Sequence, residues 1–233
     1  MVEPARHSVS PRGSYLRKRQ KTRERLLQAA KRVMAETGAE AATIAEIAAS
    51  ADVSPGTFYN YFQTREEILD AVAANLVEEF RRVMDAIQRT VDDPAERIAI
   101  AIRLFLGRVR EDRLWGWFMA RYAPSLPILR DQTREIIRER IVADGLRRKR
   151  FRLPSTRAVG DLIAGTSVTA LRSILEGRAP LTIATEVAEL VLRGLGVPLA
   201  DAHRIANRPI PEIRAAAQDH PLPRATAHGS ASP

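Results

Sequence analysis

TIAEIAASADVSPGTFYNYFQTR, residues 43–65, decides the fold of this chain. It opens on a capping box, because the Thr43 hydroxyl can accept the backbone N–H of Glu46 while Glu46 reaches back. Ile44, Ile47 and Ala48 follow at helical spacing and predict a short helix with one apolar face. Asp52-Val53 breaks that helix, and Ser54-Pro55 restarts one with an N-cap followed by proline at the first helical position. Thr64 with Glu67 forms a second capping box and opens a third helix. Two short helices across a tight turn, the second polar at its exposed start, predict a helix-turn-helix.

Charge around this stretch is uneven. Residues 1–25 carry eight basic side chains against Glu3 and Glu24, a balance of +6. Residues 26–75 carry Lys31, Arg32 and Arg65 against seven acids, a balance of −4. A DNA-reading module with a negative balance needs another source of attraction for phosphate, and the preceding arm supplies one. Arg17, Lys18, Arg19 and Lys21 are its candidates, laid along the backbone or into a minor groove. A solvated tail is the plainer alternative.

Elsewhere the pattern is helical, and no stretch sustains period-two alternation. The expected fold class is all-α, an N-terminal three-helix helix-turn-helix domain followed by a helical ligand-binding and dimerisation domain. A first helix is expected to start between Tyr15 and Thr22 and end at Gly38, with Leu26, Leu27, Ala30, Val33 and Met34 as its stripe. The helix opened by Thr64 continues to about Thr90, long enough to leave the first domain and enter the second. Asp93-Pro94 starts the next, and Pro124 and Pro127 end an aromatic-rich segment from Arg113 to Tyr122. Three further helices are expected over 128–149, 154–176 and 182–193, with one last turn at 200–206. The expected division is a disordered arm at 1–16, the DNA-binding domain at 17–75, an effector and dimerisation domain at 76–206, and a disordered tail at 207–233.

With 233 residues and 45% hydrophobic content the chain can bury a sizeable core. Zero cysteines exclude disulfides and thiolate chemistry. No apolar run near eighteen residues is evident, so no membrane-spanning helix and no membrane partner are expected. The N-terminus lacks the apolar core of a signal peptide, and a cytoplasmic protein is expected. His7, His203, His220 and His228 lie near the termini, so neither a histidine metal site nor a cofactor is expected. No catalytic spacing and no glycine-rich phosphate loop is found, so no enzyme is expected.

Thr43-Ile44, Ile47-Ala48, Val53 to Phe62, and Arg65 to Leu69 together resemble the N-terminal domain of TetR-family transcriptional regulators. The resemblance covers about residues 22–72; beyond them it rests on helix number, length and order. It implies a homodimer on a two-fold-symmetric operator in double-stranded DNA, released by a small-molecule effector, and most simply a repressor. An architectural or interaction-type helix-turn-helix protein without an effector is the alternative. By the resemblance, Thr57, Tyr59 and Arg65 are phosphate clamps, joined by the helix N-terminus at Thr43. Ser54, Pro55, Gly56, Asn60 and Tyr61 are the positions that can face bases. Two positions depart from the family pattern: Arg65 stands where many relatives carry lysine, and Tyr61 where histidine is frequent.

The family's effector site implies apolar candidates in the middle helices: Phe80, Met84, Phe105, Trp115, Phe118, Met119 and Tyr122, each of which could equally be core. Arg103, Arg108 and Arg121 could orient an anionic ligand if one turned inward. The last two long helices offer Leu162, Ile163, Thr166, Ala170, Ile174, Val187, Leu190 and Val191 as a dimer surface, two helices from each copy forming a four-helix bundle.

Overall fold

The structure, a computed structural model, describes residues 11–38, 41–122, 126–153 and 156–211, and these contain helices and no strand. The first domain is built from local signals. Helix α1 (Pro11–Thr37) ends at Gly38, whose φ of 107° only glycine adopts at little cost. Helix α2 (Ile44–Ser50) starts on a complete capping box between Thr43 and Glu46. Asp52 takes φ 53° and turns the chain, and Ser54 caps helix α3 (Pro55–Tyr59) by accepting from the Thr57 N–H at 3.1 Å. Helix α4 (Arg65–Thr90) is capped by Thr64, but its box is displaced by one residue: Glu67 accepts from the Gln63 N–H, not from Thr64.

Leu26, Ala30, Met34, Ile47, Phe58, Phe62, Ile68 and Val72 are all nearly inaccessible and close the core of these helices. Arg25 ties α1 to the turn by donating to the Ala51 carbonyl and to the Asp52 carbonyl at 3.0 Å. The start of α1 departs from expectation. Residues 11–16, read as part of an unstructured arm, continue the helix, while residues 1–10 lie outside the described residues. These first turns have no apolar stripe to announce them. Contacts one turn apart support the stretch that follows, Thr22 to the Lys18 carbonyl at 3.1 Å and Gln20 to Glu24 at 2.8 Å.

Helix α5 (Pro94–Gly107) is capped by Asp93 and runs into a short 3-10 turn at Arg108–Arg110. Helix α6 (Arg113–Arg121) follows, then α7 (Pro127–Ile137), a π turn at Arg138–Val142 and α8 (Ala143–Arg147). The expected single helix over 128–149 thus contains a widened turn, which periodicity alone does not reveal. Helices α9 (Arg157–Leu175), α10 (Ile183–Gly194) and α11 (Leu199–Ala206) complete the fold. α5 packs on α10 and α11, α6 on α1 and α9, and α4 on α7. Of the expected tail, residues 207–211 follow α11 and the remainder lies outside the described residues.

One buried ion pair stitches the second domain. Arg97 donates to Asp144 at 2.9 Å and to the Val91 carbonyl at 2.7 Å, with both side chains under 10% exposed. The window Ala158–Leu175 in α9 reaches a mean hydropathy of 1.2, long and apolar enough to cross a membrane by length and composition. This corrects the expectation that no such run exists: the window mixes its large apolar side chains with small residues (Gly160, Ala164, Gly165, Ala170), so it shows no continuous run of large ones. Within the chain, α9 buries one face through Val159, Ile163, Ala170, Leu171 and Leu175.

Candidate functional site

Two surfaces can carry function, one at each end of α4. At the first, Thr43, Ser54, Pro55, Gly56, Tyr59 and Asn60 are exposed, and Thr57, Tyr61 and Arg65 are half-buried. Phe58 and Phe62 anchor the other side of this segment in the core, their rings 5.9 Å apart. The reading helix is only five residues long, so Asn60 caps its C-terminal end and Tyr61 lies just past it. The Ser54 and Thr57 hydroxyls sit 2.9 Å apart, which couples the cap to a candidate phosphate contact. Arg65 donates its Nε–H to the Ala42 carbonyl at 2.9 Å and pairs with Glu66 at 3.4 Å. It therefore joins the starts of α2 and α4, in addition to any role on phosphate.

The arm reaches the same surface. Arg17, Lys18, Arg19 and Lys21 are all exposed on the first half of α1. The Arg19 guanidinium lies 6.0 Å from the Tyr61 ring centroid, so the arm adjoins the end of the reading helix. Arg23 lies over Phe62 at 5.4 Å. The roles of Arg23 and Arg25 escape the sequence reading, because their partners are a ring and carbonyls dozens of residues away. Glu46 completes the Thr43 cap, and the Thr43 backbone N–H and hydroxyl hold its carboxyl below the ordinary range.

At the other end lies a cavity of about 610 Å³, within the usual size range of small-molecule sites. Leu76, Glu79, Phe80, Val83 and Met84 of α4 form one wall; α5, α6, α7 and α9 form the rest. Phe105 and Trp115 meet edge-to-face at 5.2 Å, and the Arg108 guanidinium lies 4.4 Å from the Trp115 ring centroid. Of the seven apolar candidates, Phe80, Met84, Phe105, Trp115 and Met119 line the cavity. Phe118 is fully buried and Tyr122 packs beside it at 5.9 Å; neither lines the cavity. On a short helix they face α1 and the core instead.

The arginines also sort themselves. Arg108 lines the cavity and pairs with Glu79. Arg103 donates to the Arg208 carbonyl at 2.5 Å, and Arg121 lies over Trp117 while donating to the Ala35 carbonyl at 3.3 Å. Arg130 and Arg134 of α7 also line the cavity, although in sequence they belong to an arginine-rich face that periodicity assigns to solvent. Between the two surfaces sits Lys31 of α1, nearly buried, with Glu79, Arg108 and Asp112 as its charged neighbours. Burial lowers its pKa from the ordinary lysine value. His203 bonds Glu189 at 2.9 Å; the other three histidines lie outside the described residues.

The eight dimer candidates divide between two faces. Ile163, Ala170 and Val191 are at most 7% exposed and pack within the chain itself. Leu162, Thr166, Ile174 and Val187 are half-buried, and Leu190 is 61% exposed. Gly165, where an added Cβ would meet nothing within 4 Å, lies on the cavity side of α9 and lines the cavity.

Comparison with known proteins supplies the frame for these surfaces. The model of bacterial regulatory proteins of the tetR family matches residues 26–72, and that of the tetracyclin repressor-like C-terminal domain matches residues 93–208. The HTH-type transcriptional regulator TcmR of Streptomyces glaucescens is 30% identical over 109 residues, 46% of this chain and 48% of that protein. The regulator BetI of Rhizobium meliloti is 35% identical over 82 residues, 35% of this chain and 40% of BetI. The chain thus spans about half the length, or less, of the curated relatives it matches. The solved structure of RolR in complex with resorcinol aligns with a TM-score of 0.65 at 35% identity, covering 84% of this chain and 98% of RolR. FadR from Bacillus subtilis, in complex with stearoyl-CoA, aligns with a TM-score of 0.63 at 22% identity over 73% of this chain and 98% of FadR, a likeness of fold alone.

Proposed function

Since the chain belongs to the TetR family of DNA-binding transcriptional regulators, which are not enzymes, we propose that it is a repressor released by a small-molecule effector. It acts in the cytoplasm as a homodimer on a palindromic operator. The observation that carries this reading is the continuity of α4, one helix whose first residues belong to the DNA-reading core and whose later residues wall the cavity. A ligand that prefers one arrangement of that wall shifts the population toward one placement of the reading heads. The resorcinol bound by RolR supports a cavity ligand here, since the likeness extends over nearly all of RolR.

On this reading Ser54, Pro55, Gly56, Asn60 and Tyr61 face bases, while Thr43, Thr57, Tyr59, Arg65 and the arm hold phosphates. The dimer forms through the outward parts of α9 and α10, where Leu190 is exposed and Leu162 half-buried. Residues 17–75 form the reading domain and 76–206 the effector domain, with α4 shared.

The test is operator selection from a random DNA pool, followed by fluorescence anisotropy with and without candidate effectors. A palindromic site and a loss of affinity of about fivefold or more on adding effector are expected. Selection of no palindrome, or an affinity indifferent to every ligand that fills the cavity, overturns the reading. Light scattering checks the dimer, which Leu190→Glu should dissociate.

A further inference from the structure

Asp52 and Val53 alone separate the C-cap of α2, Ala51, from the Ser54 cap of α3. The backbone angles of those two residues therefore set the direction in which α3 leaves α2. Asp52 adopts φ 53°, a left-handed conformation that favours glycine and costs more for a residue with a Cβ. At Gly38, Gly177 and Gly196 a positive φ falls on glycine itself. At the reading turn it falls on an aspartate, and there a side chain from another helix intervenes.

That side chain is Arg25 of α1. Its Nη2 group donates to the Ala51 carbonyl, to the Asp52 carbonyl at 3.0 Å and to the Asp52 carboxylate at 3.2 Å. The two carbonyls belong to the peptide planes on either side of the Asp52 Cα, so one donor holds both planes and fixes the angles between them. They also lie at the C-terminal end of α2, where helix geometry leaves acceptors without partners. The Asp52 carboxylate is fully exposed and its ion pair is screened by water, so the carbonyl bonds carry the clamp. Two turns further along the same face of α1, Arg32 donates to the Ser50 hydroxyl at 3.3 Å. α1 thus grips the end of α2 at two points, with Arg25 at the turn itself.

By charge alone Arg25 counts toward the basic segment that attracts phosphate. We infer, resting on the operator reading above, that Arg25 is instead a positioning residue. By bridging the peptide planes around Asp52 it fixes the angle between α2 and the reading helix α3, and so sets operator affinity without touching DNA.

Operator binding and amide hydrogen exchange of the full chain test this in Arg25→Met, Arg25→Lys, Asp52→Gly and the double variant Arg25→Met with Asp52→Gly. Arg25→Met keeps the apolar stem and should lower affinity for the selected operator about tenfold, with the salt dependence unchanged. Arg25→Lys keeps the charge but lacks the planar fork, and should bind as weakly as Arg25→Met. Asp52→Gly alone should bind as the native chain does. Combined with Arg25→Met it removes the left-handed cost and should recover about fivefold of the loss. In the free chain the Val53 N–H, bonded to the Ala48 carbonyl at 3.0 Å, should exchange about tenfold faster in Arg25→Met. Amides of α4 should keep their native protection, a contrast that global unfolding would erase.

A logarithmic salt slope that falls by about one per chain in Arg25→Met, with affinity kept in Arg25→Lys, assigns Arg25 to a phosphate and overturns the inference. Native affinity in Arg25→Met overturns it, as does a double variant as weak as Arg25→Met. If no operator is selected but Val53 exchange responds as described, the repressor reading falls and the clamp on the turn stands. Unchanged Val53 exchange overturns the clamp in either case.

Discussion

The two ends of α4 are stabilised in different ways. At the DNA end, backbone groups are satisfied by near neighbours: Thr43 with Glu46, Ser54 with Thr57, Thr64 with Glu67. The ring of Phe58 seals that end with no exposure at all. At the cavity, side chains from five helices meet around space, and ion pairs such as Arg108 with Glu79 and Arg134 with Asp161 join residues of different elements. One end is a small packed unit that holds a shape. The other is a wall around a cavity, which in the proposed function a ligand fills and so stabilises.

This contrast breaks or sharpens under mutation. The largest effect is expected from Phe58→Ala, which should cost about 3–5 kcal/mol in urea unfolding because the ring is wholly enclosed. Phe80→Ala, half-buried and already facing the cavity, should cost less than half as much. Equal losses would mean the two ends are packed alike. Next comes the arm. Replacing Arg17, Lys18, Arg19 and Lys21 with Ala should flatten the salt dependence of operator binding, by up to about 3–4 in the logarithmic slope per chain if each residue neutralises one phosphate. An unchanged slope removes the arm from the interface. Deleting residues 2–16 should weaken binding less, because those four side chains remain.

Ser54→Ala removes the cap of the reading helix and should cost about 1 kcal/mol, with operator affinity falling further than stability alone requires. The smallest effect concerns pH. The bonds from Thr43 hold the Glu46 carboxyl below its ordinary value of 4.5, so its contribution is present above that value and fades as pH falls through the lowered one. The melting temperature of the native chain should therefore exceed that of Glu46→Gln at pH 6, and the two should converge in acid. A difference that persists in acid would assign the cap's effect to shape and not to charge.

The same contrast explains what could be read beforehand. Caps are written in adjacent residues, so Thr43, Ser54, Thr64 and Asp93 were legible as helix starts, and family membership followed from the residues between them. The first turns of α1 were not, since a polar helix without an apolar stripe has no periodic signature. Nor were Arg130, Arg134 and Asp161, because whether a charged residue looks outward or into a cavity depends on how two helices cross. Phe118 and Met119 are neighbours in sequence, yet only Met119 reaches the cavity; both are apolar and no local rule separates them. The π turn at Arg138–Val142 shifts the faces of α7 and α8 by a fraction of a turn, a displacement that composition does not encode.

An unbroken α4 behaves mechanically as a rigid lever. From Phe80 to Arg65 it measures about 22 Å at 1.5 Å per residue, so tilting the cavity end by about 5° swings the DNA end by about 2 Å. In the proposed dimer the two levers swing oppositely, and the reading heads separate or close by about 4 Å against a half-site spacing of about 34 Å. A displacement of that size exceeds the length of a hydrogen bond, so a wall movement too small to unfold anything is enough to lift one reading helix out of register with its groove.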